Sequence, residues 1–498
     1  MKKRFIPFIG IAINQLRKPQ VWLAMVFLLF LVSYGISTNP RLLSFDARYY
    51  WELRLSFYDS GRNFSLLNFA DEQFQLRGYF FPLMLLAGEW VIDILTPDRW
   101  VDDFAIVVIL NSFLMVAISW ALLPAIFSRL TGRESSVFFR VALSVLLAFF
   151  WRGQLYYPLS DAPALFFLLM GLLLVLLSFQ SPAGWKNSAV AFLAGALLMA
   201  VYLIRPVYLL VFVTVALGLA VVPSAWNMRQ RFLSVFAFLL AGVVVLTPQY
   251  LINRTHYGVN SPFISGGLYS YQVTVGFLVQ RYELSMDKNV YPAAGVRFMD
   301  PQAENLLIRD GRSLPFDTSA IGAFDVESVL QNALSLQEIL HFFLKYPLDV
   351  ATIYFRHLFN GLNMIYPTTY IENIYRPDPV LMWLNYTALF GVLFFFDART
   401  LVSKNPLLHL LVLLAWVLPA LAAIPGAMES RYFLPLHAML LASLAWMLDD
   451  IPTLRVKIEQ VGRWRTVLLY LVFVLVAFSL SGLILTTVPE ANLLLTPR

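Results

Sequence analysis

Cysteine is absent from the 498 residues. That excludes thiolate nucleophiles, cysteine-ligated metals and disulfide staples, and it leaves the redox compartment open. Charge is the second scarcity: 13% of residues are Asp, Glu, Lys or Arg, about half the share usual in a soluble domain. Heptads, low-complexity tracts and internal repeats are also missing, which argues against coiled coils, disordered linkers and solenoids. What is abundant is apolar surface, with 59% hydrophobic residues, 15% aromatics and a mean hydropathy of +0.70. A soluble fold cannot hide that much. The net charge of +6 resides in bases beside apolar runs, which points to topology and lipid headgroups and not to nucleic acid.

The apolar runs recur from end to end and are long enough for bilayer spans. Behind the basic start "MKKRFIPFIGIAINQLRKPQ" stands Val21–Ser37, with no small-residue cleavage site after it, so it is expected to remain as a first span. Further runs are Phe104–Phe127, Val137–Leu155, Ala162–Phe179, Ser188–Ile204, Pro206–Val222, Phe232–Leu251, Val380–Phe396, Pro406–Ile424, Tyr432–Leu448 and Val467–Val488. The expectation is an all-α integral membrane protein with about eleven transmembrane helices. With the N-terminus cytoplasmic, the inner turns collect Lys2, Lys3, Arg4, Arg129, Arg133, Lys186, Arg229, Arg231, Arg399, Arg455, Lys457 and Arg463. This is the positive-inside pattern, and it puts the C-terminus outside.

Two apolar stretches carry too much charge to count as spans: Phe80–Leu95 with Glu89 and Asp93, and Tyr346–Tyr366 with Asp349, Arg356 and His357. Both are expected to lie in the outer interface, apolar face down. The chain then divides into a transmembrane module over residues 1–251, an irregular extracytoplasmic cap over 252–379, and C-terminal helices over 380–498. The first outer loop is 38–103. Loops as long as that one and the cap usually carry function, since a plain connection needs only a few residues.

In this topology several charged residues fall on one face. Asp46 follows the first span in "FDARYYWEL", and Asp161 opens a later one in "YYPLSDAPALFFLL". Arg205 in "YLIRPVY" joins them, as do Glu429 and Arg431 in "GAMESRYFLPL". A carboxylate can act as a general base on a hydroxyl or ligate a divalent cation such as Mg²⁺ or Mn²⁺, so Asp46 and Asp161 are the candidate catalytic pair and, where a metal is used, its ligands. Arginines bind phosphate through a bidentate fork, which nominates Arg205, Arg431 and Arg48. Tyr49, Tyr50 and Tyr157 are candidate sugar-stacking faces, and Glu52 and Glu429 candidate substrate contacts. Plainer roles stand beside these. Asp161 has the position of a helix N-cap, the arginines that of snorkelling bases, and the aromatics that of an interfacial belt.

In these residues the chain resembles the GT-C superfamily of polytopic glycosyltransferases, and within it the branch of protein O-mannosyltransferases and bacterial aminoarabinose transferases. That branch carries Asp-Glu followed by aromatics in its first outer loop. Here "FDARYY" gives Asp46, then Ala47 in place of the Glu, then Tyr49 and Tyr50. "RGYFFPLMLLAGEWVIDIL" resembles the branch's Pro-containing juxtamembrane helix, "YYPLSDAPALFFLL" its second acidic loop, and "ESRYFLPL" its late Arg-Tyr motif. The likeness covers about the first 210 residues and, loosely, the helices after Pro406. It implies inverting transfer of a sugar from a polyprenyl-phosphate carrier to an extracytoplasmic glycan, lipid or protein. Asp46 would be the base, Asp161 would orient the acceptor or hold a metal, and Arg205 and Arg431 would bind the donor phosphate. Ala47 leaves Glu52 as the next carboxylate of the first loop.

Two other functions fit the composition. A lipid-linked oligosaccharide polymerase or ligase would rely on outer-loop bases, here Arg281, His341 and His357. A transporter or flippase would bind near the midplane between repeated halves, and no paired halves are visible. The shared face is itself testable. Reporter fusions after Lys186 and Lys457 should read cytoplasmic, and fusions at Gly61 and Gly311 should read outside; opposite readings at Gly61 and Gly311 would dissolve it.

Overall fold

The computed structural model describes residues 19–38, 43, 45–71, 77–95, 103–180, 185–222, 226–264, 269–285, 295–311, 334–371, 376–401, 405–426 and 428–486. Among these, eight helices are long and apolar enough to cross a membrane: Pro19–Thr38, Phe104–Thr131, Asp161–Phe179, Lys186–Ile204, Met228–Tyr257, Pro406–Ala423, Ser430–Leu448 and Arg463–Leu485. Val137–Phe150, Pro206–Val221 and Pro379–Phe395 are apolar but shorter. Each predicted run overlaps one of these eleven helices, but only eight of them are long enough to count as spans. The run Val137–Leu155 is shorter than expected, because its helix stops at Phe150 and Arg152–Leu155 forms a 3-10 turn.

Local sequence explains where the helices start and stop. Asp378 and Asn405 cap their helices and are followed by Pro379 and Pro406, whose missing N–H costs nothing in a first turn. Asn227 and Gln230 form a reciprocal capping box at the start of Met228–Tyr257, and Gly258, at φ 66°, ends it. Pro248 inside that helix frees a carbonyl, and nearby Thr247 donates to Val243 O at 2.8 Å. A π-turn at Ala117–Leu122 similarly loosens the long second span, and Arg140 there donates to Trp120 O.

Helix Trp185–Ile204 packs against both Asp161–Gln180 and Met228–Tyr257. Small residues permit the second contact: a Cβ on Gly195 would lie 2.3 Å from Phe238 O. In a bilayer such close backbone approach is a main source of helix association, because lipid is as apolar as leucine.

The two stretches expected in the interface are 16-residue helices, Phe80–Leu95 and Pro347–Leu362, and neither is among the long or short apolar spans. Glu89 of the first is paired with buried Arg54 at 2.7 Å, which ties that helix to the end of Phe45–Leu53. Pro347–Leu362 belongs to the cap, which has a hydrophobic core of its own around Phe277, Leu306, Phe342 and Ile353. The all-helical expectation missed a small sheet here. β1 (Val279–Ser285) lies between β2 (Gly295–Met299), antiparallel to it, and β3 (Tyr370–Ile371), parallel to it. Parts of the charged stretch 281–327 lie outside the described residues.

Two polar contacts hold the cap together, and a third fastens it to the end of helix Pro406–Ala423. Asn360 donates to Gln280 O at 2.7 Å, buried Arg281 donates to Asn363 O at 3.0 Å, and His357 Nδ1 meets Ile424 O at 2.6 Å. The helix rests on the 3-10 turn Ser430–Phe433. At the other end of the last long spans, Arg133 bridges Asp449 and Asp450 at 3.2 and 3.3 Å.

Gly195→Val should therefore push two central helices apart. Overpacking of this kind costs about 1–3 kcal/mol, read as a lowered midpoint of thermal unfolding in detergent. An unchanged midpoint would mean the contact at Phe238 is slack.

Candidate functional site

Both acids stand where a helix begins, Asp46 in the first turn of Phe45–Leu53 and Asp161 in the first turn of Asp161–Gln180. There the helix dipole favours a negative charge. Ser160 O accepts the first intrahelical bond, from Ala164 N–H at 3.0 Å, so Asp161 sits one residue inside the cap position. Its Oδ1 accepts from Arg205 Nη1, and its Oδ2 lies 3.9 Å from Arg431 Nη1.

Arg431 is the centre of the arrangement. Its Nη2 donates to Asp46 Oδ2 at 2.9 Å, and its Nε donates to Glu429 Oε2 at 2.5 Å. Tyr432 hydroxyl also donates to Glu429, at 2.6 Å, while the Arg205 guanidinium lies 4.5 Å from the Tyr432 ring centroid. With only 7% of its side chain exposed, Arg431 is not a snorkelling base. Glu429, Arg431, Asp161, Arg205 and Asp46 thus meet in one layer, as the sequence suggested.

A third cation completes that layer, and sequence reasoning missed it. Arg77 Nη2 donates to Asp46 Oδ1 at 2.6 Å. Its guanidinium lies 4.4 and 4.6 Å from the ring centroids of Tyr49 and Tyr50. Buried Asp71 steadies this loop, accepting from the Arg77 backbone N–H at 3.2 Å and from the Tyr49 hydroxyl. The next residue has to be small: a Cβ on Gly78 would stand 2.3 Å from Leu203 O, two residues before Arg205. Arg77 and Arg205 are therefore braced against the same helix end. The available signal was an isolated arginine just before an apolar helix, the same signal that singled out Arg205.

Three guanidiniums meet three carboxylates, with Asp71 as a fourth behind Arg77. Burial opposes ionisation of Asp46, yet Arg431 and then Arg77 outweigh it and hold the carboxyl below its usual range. The Asp46 side chain nevertheless keeps 36% of its surface open. Tyr370 of β3 approaches from the cap and accepts from Ala47 N–H at 3.0 Å, and burial pushes its phenol up.

The other predicted contacts are placed differently. Arg48 and Glu52 pair with each other at 2.7 Å on the exposed side of their helix, 68% and 58% open, and do not reach the layer. The reason is local: four residues apart on a helix, they face each other. Tyr50 and Tyr157 are buried as walls, Tyr50 against Phe81 and Tyr157 edge-on to Tyr370 at 4.4 Å. Of the predicted stacking faces, Tyr49 is half-buried and lies beneath Arg77. Among the described residues no group of three or more His, Asp and Glu side chains converges as a metal site. Asp46 and Asp161 already face guanidiniums, which repel a cation, so this donor set does not fit a divalent metal.

No family model and no curated protein matches the chain. Among solved structures it is similar to the archaeal oligosaccharyltransferase AglB from Archaeoglobus fulgidus in complex with an inhibitory peptide and a dolichol-phosphate, at 11% identity and a TM-score of 0.42. It is also similar to the apo form of the oligosaccharyltransferase from the same organism, at 12% identity and a TM-score of 0.43. Each match covers 96% of this chain but only 56% and 55% of the other, so the chain spans about half the length of these structures. A likeness this loose transfers neither residues nor activity.

The ion pairs of Asp46 give a pH signature. Because its folded-state pKa is depressed, the pairing stabilises the fold above the unfolded value, near 3.9, and that contribution is lost as pH falls through the folded value. Asp46→Asn should therefore melt below the parent at pH 7, and the gap should narrow below about pH 4 and close only beneath the folded value. A gap that persists at low pH would assign the loss to packing.

Proposed function

We propose that the chain is a membrane glycosyltransferase which moves a sugar from a polyprenyl-phosphate carrier to an acceptor glycan, lipid or protein, with inversion, at the extracytoplasmic face of a plasma or inner membrane. The observation that carries this reading is the placement of Asp46 between Arg77 and Arg431, at 2.6 and 2.9 Å, with Asp161–Arg205 in contact with the same arginine. Transfer from a phosphate carrier requires a base at the acceptor hydroxyl and cations at the leaving phosphate. Both are within one layer here.

In the reaction the acceptor oxygen bonds to the anomeric carbon while the bond from that carbon to the phosphate oxygen breaks. The electron pair departs on the phosphate, where Arg431, Arg205 and Arg77 spread the charge. The acceptor proton passes to Asp46. Asp161 keeps Arg205 aimed at the phosphate and Glu429 does the same for Arg431. No step requires a metal.

The polymerase or ligase reading is weakened by where its bases lie. Arg281 and His357 are buried against backbone carbonyls, and His341 is exposed on the cap near Asp310. Two of the three are thus spent on backbone carbonyls and the third faces an acid of the cap. The transporter reading is weakened because the ionic cluster sits at helix ends and not along the middle of the spans.

Purified protein incubated with radiolabelled polyprenyl-phosphate sugars should transfer label to an acceptor. Asp46→Asn should reduce turnover about 100- to 10,000-fold, whereas a scaffolding acid would tolerate the near-isosteric amide. Asp161→Asn should lose less, since it acts through Arg205. Arg431→Ala and Arg205→Ala should weaken donor binding about ten- to a hundred-fold, with poor rescue by lysine. Near-parental turnover by Asp46→Asn would remove the general-base mechanism.

A further inference from the structure

Two buried amides in helix Met228–Tyr257 take no part in the reaction as described. Gln249 and Asn253 are 3% and 4% exposed, and their spacing of four puts them on one face of the helix. Buried amides are costly unless their polar atoms are matched. These two match each other, since Gln249 Nε2 donates to Asn253 Oδ1 at 2.8 Å.

The orientation of both amides follows from their partners. Asn253 Nδ2 donates to Ser261 O at 2.8 Å and to Phe263 O at 2.9 Å. Turned over, the amide would set its oxygen against two carbonyls, so Oδ1 is the atom offered to Gln249. Gln249 must then present Nε2 to Asn253 and Oε1 away from it. There Oε1 accepts from the Tyr79 backbone N–H at 3.2 Å.

Tyr79 is where the Arg77 loop enters helix Phe80–Leu95. Its carbonyl accepts from Leu83 N–H at 3.1 Å, which makes it the cap residue, and the N–H of a cap residue has no partner inside its own helix. Gln249 supplies that partner. The Tyr79 hydroxyl donates to Val245 O at 3.0 Å, so helix Met228–Tyr257 holds this residue by backbone and side chain alike. The same helix holds the other flank of Arg77. Asp71 N–H donates to the Tyr257 hydroxyl at 2.6 Å, and Asp71 Oδ2 accepts from Arg77 N–H at 3.2 Å. A backbone shift at Tyr79 would be carried along the Arg77 side chain to its 2.6 Å contact with Asp46.

We propose that Gln249 is a positioning residue for Arg77: its amide, oriented by Asn253, fixes the backbone at Tyr79 and so keeps the Arg77 guanidinium where Asp46 and the carrier phosphate meet. The phosphate part of this inference rests on the glycosyl-transfer reading; the hold on Arg77 and Asp46 does not.

The test titrates the purified full chain in detergent with decaprenyl phosphate. Gln249→Leu should weaken binding about three- to tenfold, and Arg77→Ala at least as much. In the Arg77→Ala background Gln249→Leu should then cost nothing further, as happens when two residues act through one group. Asn253→Ala leaves Gln249 without its orienting partner; it should repeat the pattern at smaller amplitude and stands in if Gln249→Leu does not fold. A second readout needs neither carrier nor sugar. Asp46 without Arg77 is protonated more readily, so the thermal-stability gap between Asp46→Asn and its background should narrow at a higher pH once Gln249→Leu is present. Arg431, Arg205 and the phenol of Tyr370, which also act on Asp46, are left in place by these variants. Parental binding by Gln249→Leu, equal weakening in both backgrounds, or a gap whose pH does not move would overturn the positioning role and leave both amides to packing. A parent chain that binds no decaprenyl phosphate but shows the pH shift keeps the hold on Arg77 and removes the proposed donor.

Discussion

The whole arrangement depends on one requirement, that a buried guanidinium at the end of a helix be neutralised. Arg431 has 7% of its side chain exposed and touches Asp46, Asp161 and Glu429. In a low-dielectric setting an unpaired charge costs several kcal/mol, and removing one partner of a buried pair is far worse than never having had the pair. Those partners are far apart in the chain: one follows the first span, one opens helix Asp161–Gln180, and one stands beside Arg431 itself. Satisfying the arginine therefore requires the first loop and the helices at either end of the chain to come together. The cap closes over the same point through Tyr370, which accepts from the backbone of Ala47.

The bracing around this centre is of a different kind and follows from size and shape. Gly78 allows the Arg77 loop to lie directly on the carbonyl of Leu203, and Asn111 holds the loop that ends in Asp161. Arg54 and Glu89 tie the helix after Arg77 to the helix that carries Asp46. None of these residues touches the cluster's charges. They set the positions of the groups that do, which is what a site built at loop level needs if its geometry is to be kept.

Much of this was legible in the sequence because the solvent is lipid. In a chain with 13% charged residues, an acid at the threshold of an apolar run stands out, and so Asp46, Asp161, Arg205, Glu429 and Arg431 could be grouped before any geometry was known. The helices were legible for the same reason. The small sheet was not, because "VQRYELS" has no clean alternation and one of its two partners, Tyr370–Ile371, arrives much later in the chain. Arg77 was not singled out because its partner is set by loop folding, to which sequence spacing gives no access. Arg48 and Glu52 failed in the opposite way. Their spacing of four predicts the surface pair that forms, but their nearness to Asp46 suggested a role in the site.

The depressed pKa of Asp46 raises the question of how such an acid could serve as a base. A carboxylate held by two guanidiniums is a weak proton acceptor, since the interactions that favour its charge must be surrendered when it is protonated. The balance of the cluster supplies an answer. Three guanidiniums face three carboxylates and Asp71 stands behind Arg77, so the cluster holds no excess of positive charge as it stands. A phosphodiester seated on Arg431, Arg205 and Arg77 would add one negative charge and share the same donors. Each guanidinium would then hold Asp46 less tightly, and the most open of the three acids would become the easiest to protonate. On this reading the carboxylate is kept weak while the donor is absent and strengthened by the donor's own charge. Basicity would appear only when there is a sugar to transfer, and the same pairing that keeps Arg431 folded would time the chemistry.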